Sequence, residues 1–358
     1  MAARLRPVRM VERVTGIEPA SRAWKARALP LSYTRVMVWG EGIRRGSVRD
    51  WEERGRPGRL VAVGAVRVGL VGAGPWARML HAPMLAGGPE TTLAGIWARR
   101  PEAARELAEA YGARAVGSLE ELWEACEAVA FAVPPDVQAE LATAAARAGR
   151  HLLLDKPVAL TVGAAEGLAA AVGEAGVVSQ MVLSNRYGPR GRAFLAEAAG
   201  FEVVGARCAS LSGALLGSPF ATPWRRRHGA LLDVGPHLFD LLEAAVGSIE
   251  EVSGRGDPLR WTSLTCRHAG GQVSELSMSI SLPLPETLFE CVLYGPAGSL
   301  AYRRPPDPSS AEAELQAAGA TLRREFAAAV TSGIPPELDV NRGLRLQRLI
   351  DAATRSLG

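Results

Sequence analysis

Lysine is nearly missing from this chain. Of 358 residues 41 are basic, and only Lys25 and Lys156 among them are lysine. Wherever a fixed cation suffices the chain writes arginine, so a surviving lysine calls for a chemical reason. An ammonium is compact and can lose its proton, which a guanidinium effectively cannot. Cysteine is scarce too. Cys126, Cys208, Cys266 and Cys291 are scattered and form no CxxC pair. That excludes a disulfide framework or a zinc site, and no other cluster has metal-ligand spacing. Four buried thiols in a reducing cytoplasm are expected. No apolar run approaches the ~20 residues that span a bilayer, so no transmembrane helix or membrane partner is expected.

An excess of positive charge is also missing where it would matter. The net charge is +4. Residues 1–60 hold 14 basic and 6 acidic side chains, which leaves 27 basic and 31 acidic in residues 61–358. The main body is therefore mildly acidic, and a nucleic-acid partner is not expected. Residues 1–60 lack sustained periodicity. Their longest apolar core, Val36 to Trp39, is too short for a secretory leader. The expectation is a disordered tail, or sequence read from a start codon placed too far upstream. A basic arm is the alternative.

What is present is organised around Val66 to Ala77. An apolar run, Val66 to Val71, runs into Gly72-Ala73-Gly74-Pro75-Trp76-Ala77, and a helical stretch follows. Strand, glycine turn and helix in that order are the context of a dinucleotide fingerprint. Gly72 permits the tight turn. Gly74 lets a pyrophosphate approach the backbone, and Ala77 lets the helix pack close to the strand. Pro75 and Trp76 belong to the same cradle. A second strand, Thr92 to Trp97, is followed by Arg99 and Arg100, with no acid to take a ribose 2′-hydroxyl. Arginine at this place can accept a 2′-phosphate, which favours NADP over NAD, with Arg99 the preferred contact.

Further strands are expected at Ala128 to Val133, His151 to Leu154 and Val177 to Leu183. Helices at Pro101 to Tyr111, after Ser118, at Asp136 to Ala148 and at Thr161 to Ala175 alternate with them. This alternation predicts an α/β fold with a doubly wound parallel sheet. Val133, Pro134 and Lys156 fall at strand ends, where such sheets bind ligands. From about Phe201 the pattern changes to longer, turn-separated segments that predict a large open, mainly antiparallel sheet. The boundaries are an extension at 1–60, a cofactor domain at 66–186 and a substrate and oligomerisation domain at 187–358.

Asp233 and His237 are four residues apart and share one face of a helix. A carboxylate beside an imidazole can orient it and hold its pKa near neutrality. Pro236 between them predicts a helix that starts near Asp233 or bends there. His81 reads as a helix-end histidine.

Asp155-Lys156-Pro157 resembles the Glu-Lys-Pro motif of the Gfo/Idh/MocA oxidoreductases (glucose–fructose oxidoreductase, inositol dehydrogenase, rhizopine catabolism). The stretch His228 to Asp240 is similar to that family's Gly-Gly…Asp-x-Gly-x-His-x-x-Asp motif. The resemblance covers about residues 66 to 357. Asp155 stands for glutamate, Gln138 for a histidine, Ala77 for the third glycine and His228 for the first glycine of the second motif. The resemblance implies NAD(P)-dependent hydride transfer to or from a hydroxyl or carbonyl carbon of a sugar or polyol. It implies Lys156, Asp233 and His237 as catalytic, Asp240 as scaffold, and a homo-oligomer. Two alternatives share the fold: a non-catalytic NAD(P) sensor, and an enzyme using bound nicotinamide transiently for sugar–sugar hydride exchange or glycoside cleavage.

Overall fold

A computed structural model describes residues 64–357. The expectations for the 1–60 extension, and Lys25 with them, lie outside these residues. β1 (Val66–Val71) is buried at every position but Arg67, as a central parallel strand should be. Beyond the glycine turn the chain forms a π-helical turn, Ala77–His81, that continues into α1 (Ala82–Ala86). Next come β2 (Thr91–Trp97), α2 (Pro101–Ala110) and α3 (Leu119–Ala125). Ser118 caps α3, its hydroxyl accepting from the Glu121 amide at 3.1 Å. The layer is completed by β3 (Ala128–Phe131), α4 (Pro135–Arg147), β4 (His151–Leu154), α5 (Val162–Ala175) and β5 (Ser179–Met181). All five strands pair in parallel, in the order β2-β1-β3-β4-β5. The direction of winding changes between β1 and β3, which opens a crevice at their carboxyl ends.

Two helices, α6 (Ser184–Tyr187) and α7 (Pro189–Ala198), lead out of this sheet. They are followed by β6 (Gly205–Leu211) and α8 (Pro223–Val246). The strands β7 (Ile249–Asp257), β8 (Trp261–His268), β9 (Val273–Ser279), β10 (Leu288–Gly295) and β11 (Gly298–Arg303) complete a six-stranded sheet. Its order is β11-β10-β6-β9-β8-β7, antiparallel except for the β6–β9 pair. β8 alternates exposed and buried along its whole length, so one face is packed and the other open. Helices α9 (Pro308–Ser332) and α10 (Val340–Leu357) follow. Just before α10 the chain returns to the first sheet. The Met181 amide donates to the Leu338 carbonyl at 2.7 Å, and the Val340 amide to Ser179 Oγ at 3.0 Å.

Three elements differ from the sequence-based expectation. β7 was not expected as a strand. It is an edge strand whose acidic residues face water and whose packed side carries Gly254 against Leu264 and Leu357, so it lacks the apolar alternation that announces a strand. α9, of which only the end, Phe326 to Ser332, reads as helix from the sequence, runs 25 residues because Asp307 caps it far upstream, accepting from the Ser310 amide at 2.8 Å. The helix carrying Asp233 and His237 begins after a break at Gly229, four residues before Asp233 and near the expected start, but Gly229 rather than Pro236 sets the break. Gly229 has φ +68°, and a Cβ there would strike the Pro258 carbonyl. The chain breaks where only glycine fits.

Candidate functional site

A cleft of about 1470 Å³ lies between the carboxyl ends of the first sheet and the packed face of the second. A pocket for a drug-sized ligand is roughly 300–1,000 Å³, so this one has room for a dinucleotide and a small substrate. One wall is the glycine turn. Gly72 has φ +114°, and a Cβ there would collide with the Ala132 carbonyl on the neighbouring strand end. Around Gly74, by contrast, a Cβ would meet nothing within 4 Å. That open ground above a helix start fits a pyrophosphate. Ala77 is fully buried below it. Gly74, Pro75, Trp76, Val133, Pro134 and Lys156 all line the cleft.

The two arginines after β2 separate. Arg99 is exposed and lines neither this cleft nor its neighbour. Arg100 lines a smaller cleft of about 580 Å³ beside Gly74 and Pro75, together with Arg78. Arg78, which the sequence reading passed over, is paired there with Glu106 at 2.9 Å.

The floor is the Asp155-Lys156-Pro157 loop, with a cis bond before Pro157. Gln138 holds it. Its Nε2 donates to the Asp155 and Val158 carbonyls at 2.8 and 3.1 Å, and its Oε1 accepts from the Asp155 amide at 2.8 Å. Asp155 is pinned on its other side. Its Oδ2 lies 3.0 Å from His81 Nε2, and its Oδ1 accepts from the Lys156 amide at 2.7 Å. His81 is thus a buried partner of the loop within a continuous helix, not a helix end.

Lys156 reaches across to α8. Its Nζ donates to the Asp233 carbonyl at 2.7 Å and to Asp233 Oδ1 at 3.1 Å. Arg225 Nε lies 3.0 Å from the same oxygen. Burial pushes the Asp233 carboxyl up, but Lys156 and Arg225 outweigh it and hold the group below the usual range. His237 lines the same cleft with its ring edge-on to Phe289. Burial, Lys156 and Arg304 hold the imidazole well below its ordinary range, against the opposing pull of Asp233. The structure therefore corrects the expected Asp233–His237 pairing. The carboxylate is engaged by two cations, no hydrogen bond joins it to His237, and His237 Nδ1 has no partner among the described residues. Asp240 is scaffold, bound by Arg186 at 3.1 Å and Arg342 at 2.7 Å. Among the described residues no cluster could hold a metal ion, and no helix is long and apolar enough to cross a membrane.

Residues 66–183 match a family model described as oxidoreductase family, NAD-binding Rossmann fold. A curated relative, the dTDP-3,4-didehydro-2,6-dideoxy-alpha-D-glucose 3-reductase of Streptomyces violaceoruber, is 34% identical over 111 residues. That match covers 30% of this chain and 32% of the relative, so the chain spans about a third of the length of the curated relative it matches. Among solved structures, GenD2 from gentamicin A biosynthesis, in complex with NAD, superposes with TM-score 0.74 at 23% identity, covering 82% of this chain and 94% of that one. Levoglucosan dehydrogenase, in complex with NADH and L-sorbose, superposes with TM-score 0.72 at 20% identity, covering 82% and 96%. These two likenesses show the fold. Glycine turn, strand order and matched segment coincide, so residues 66–183 are similar to the NAD-binding Rossmann domain of the Gfo/Idh/MocA oxidoreductase family.

Proposed function

We propose that this protein is an NAD(P)-dependent oxidoreductase that moves a hydride between the nicotinamide C4 and a hydroxyl or carbonyl carbon of a sugar or polyol. The observation that carries this reading is the meeting of Lys156, Asp233 and His237 in one cleft below an open glycine turn. The nicotinamide supplies the redox chemistry, and the chain's task is orientation and proton handling. Lys156 has three donors and gives two to Asp233, which leaves one for the reacting oxygen. His237, kept neutral, is the base that takes the hydroxyl proton in the oxidation direction. Asp233 positions Lys156 rather than His237.

Residues 66–186 serve as the cofactor domain, and 187–358 as the substrate and oligomerisation domain. NADP is favoured over NAD because no acid ends β2 and two arginines, Arg100 and Arg78, flank the glycine turn. Trp261, Val273 and Tyr294 are exposed on the second sheet, which supports a homo-oligomer through that face. Four buried free cysteines support a cytoplasmic setting.

Calorimetry with NAD+, NADH, NADP+ and NADPH tests the reading, followed by turnover of sugars and polyols by the wild type and Lys156→Ala. Expected are micromolar binding of the NADP pair and a loss of about 10²–10⁴ in kcat for the variant. Tighter binding of the NAD pair overturns the arginine argument alone. No binding of any of the four overturns the assignment.

A further inference from the structure

Arg304 follows directly on β11 and lines the same cleft as His237, close enough for its charge to act on that ring. It is half-buried, and its guanidinium lies over the Phe289 ring at 4.8 Å. No carboxylate lies within ion-pair distance of it among the described residues, although its neighbours are paired. Arg303 has Glu290 at 3.1 Å, and Arg190 has Glu314 at 3.8 Å. Its one polar side-chain contact is Asn185 Oδ1 at 3.5 Å. Asn185 must turn its oxygen this way, because a guanidinium offers only donors. The same oxygen accepts from the Tyr302 hydroxyl at 3.2 Å. Asn185 Nδ2 is then a buried donor with no acceptor.

The cleft's carboxylates are engaged elsewhere: Glu314 faces Arg190 and Glu312 accepts from Gln316. Lys156 and Arg225 share the single carboxylate of Asp233, and Asp155 is taken by His81. Arg304 is left as a desolvated cation, which is costly unless a partner arrives. Burial pulls its guanidinium down from the ordinary range.

We propose that the substrate carries a carboxylate, and that Arg304, oriented by Asn185 and Phe289, binds that carboxylate while His237 and Lys156 face the reacting carbon. The inference rests on the oxidoreductase reading and narrows its substrate class to sugar acids or polyol acids. One planar guanidinium with an adjacent amide donor matches a singly charged, planar carboxylate through paired hydrogen bonds. A phosphate dianion calls for a second free cation, and Arg225 is already committed to Asp233.

The test is calorimetry on the full chain loaded with its preferred nicotinamide. The probes are D-glucuronate, D-gluconate, D-glucose, myo-inositol and D-glucose 6-phosphate. The acids are expected to bind at least tenfold more tightly than the neutral compounds and than the phosphate. Arg304→Gln should remove that preference, while Arg304→Lys keeps part of it. Arg303→Gln, next in sequence but on the surface, should keep all of it. Cofactor affinity read in the same titrations reports that each variant is folded. Equal binding of acids and neutral sugars, no binding of the acids, tighter binding of the phosphate, or an Arg304→Gln variant that weakens all compounds alike would overturn the inference. None of these outcomes touches the oxidoreductase reading, which falls only if the nicotinamides themselves do not bind.

Discussion

At His237 the protein keeps a neutral imidazole in a wall of cations. Its folded pKa lies well below the ordinary 6.5 through burial, Lys156 and Arg304. Between that lowered value and 6.5 the unfolded chain binds a proton that the folded chain refuses. The stability this ring contributes is therefore fully present above pH 6.5 and falls as pH drops through that window. Urea midpoints between pH 8 and pH 5 should decline in the wild type and decline less in His237→Gln. His151 and His228 are also held low by burial and act alike in both proteins, so the difference belongs to His237. An equal decline in the two would refute the neutral-base assignment. Lys156 was legible in the sequence because it stands alone among arginines. Arg304 was not legible, since one arginine among 39 carries no signal until its lack of a carboxylate is seen in space.

Among the elements, the glycine turn separates two kinds of constraint. Gly72 serves the fold: its φ of +114° and the Ala132 carbonyl beside it leave no place for a Cβ. Gly74 leaves open ground, since the protein itself puts nothing within 4 Å of its missing Cβ, and in the proposed reading it serves the ligand. Gly72→Ala should destabilise the chain by about 1–3 kcal/mol, read by thermal or urea unfolding without cofactor. Gly74→Ala should unfold like the wild type yet bind nicotinamide cofactor at least tenfold more weakly by calorimetry. A Gly74→Ala variant with unchanged affinity would place the pyrophosphate elsewhere. The βαβ elements were readable because buried parallel strands and capped helices carry strong local patterns. β7 escaped because an edge strand needs no apolar alternation. The break in α8 escaped because Pro236 is the louder local signal, while the decisive contact at Gly229 is with Pro258, far along the chain.

Over the whole molecule, the two sheets and the last helix are tied by charge as well as by apolar packing. Asp240 on α8 holds Arg186 from α6 and Arg342 from α10, and Arg342 also reaches Glu243 at 2.5 Å. Removing the buried carboxylate leaves cations short of a partner, so Asp240→Asn should cost about 3 kcal/mol in urea unfolding. Glu166→Gln removes an exposed partner of Arg348 on the same helix α10 and should cost about 0–1 kcal/mol. Similar losses in the two would show that the buried cluster has no special share in joining the sheets. The sequence by itself determined the fold class, the glycine turn and three cleft residues, because periodicity, turn chemistry and an isolated lysine are local properties of the chain. Only the tertiary structure decided which groups meet. Asp233 belongs to Lys156 and Arg225 rather than to His237, Gln138 clamps the lysine loop, and Arg304 stands without a carboxylate. These are pairings between residues from 8 to 119 positions apart, set by how helices and sheets pack, and no periodic pattern along the chain encodes them.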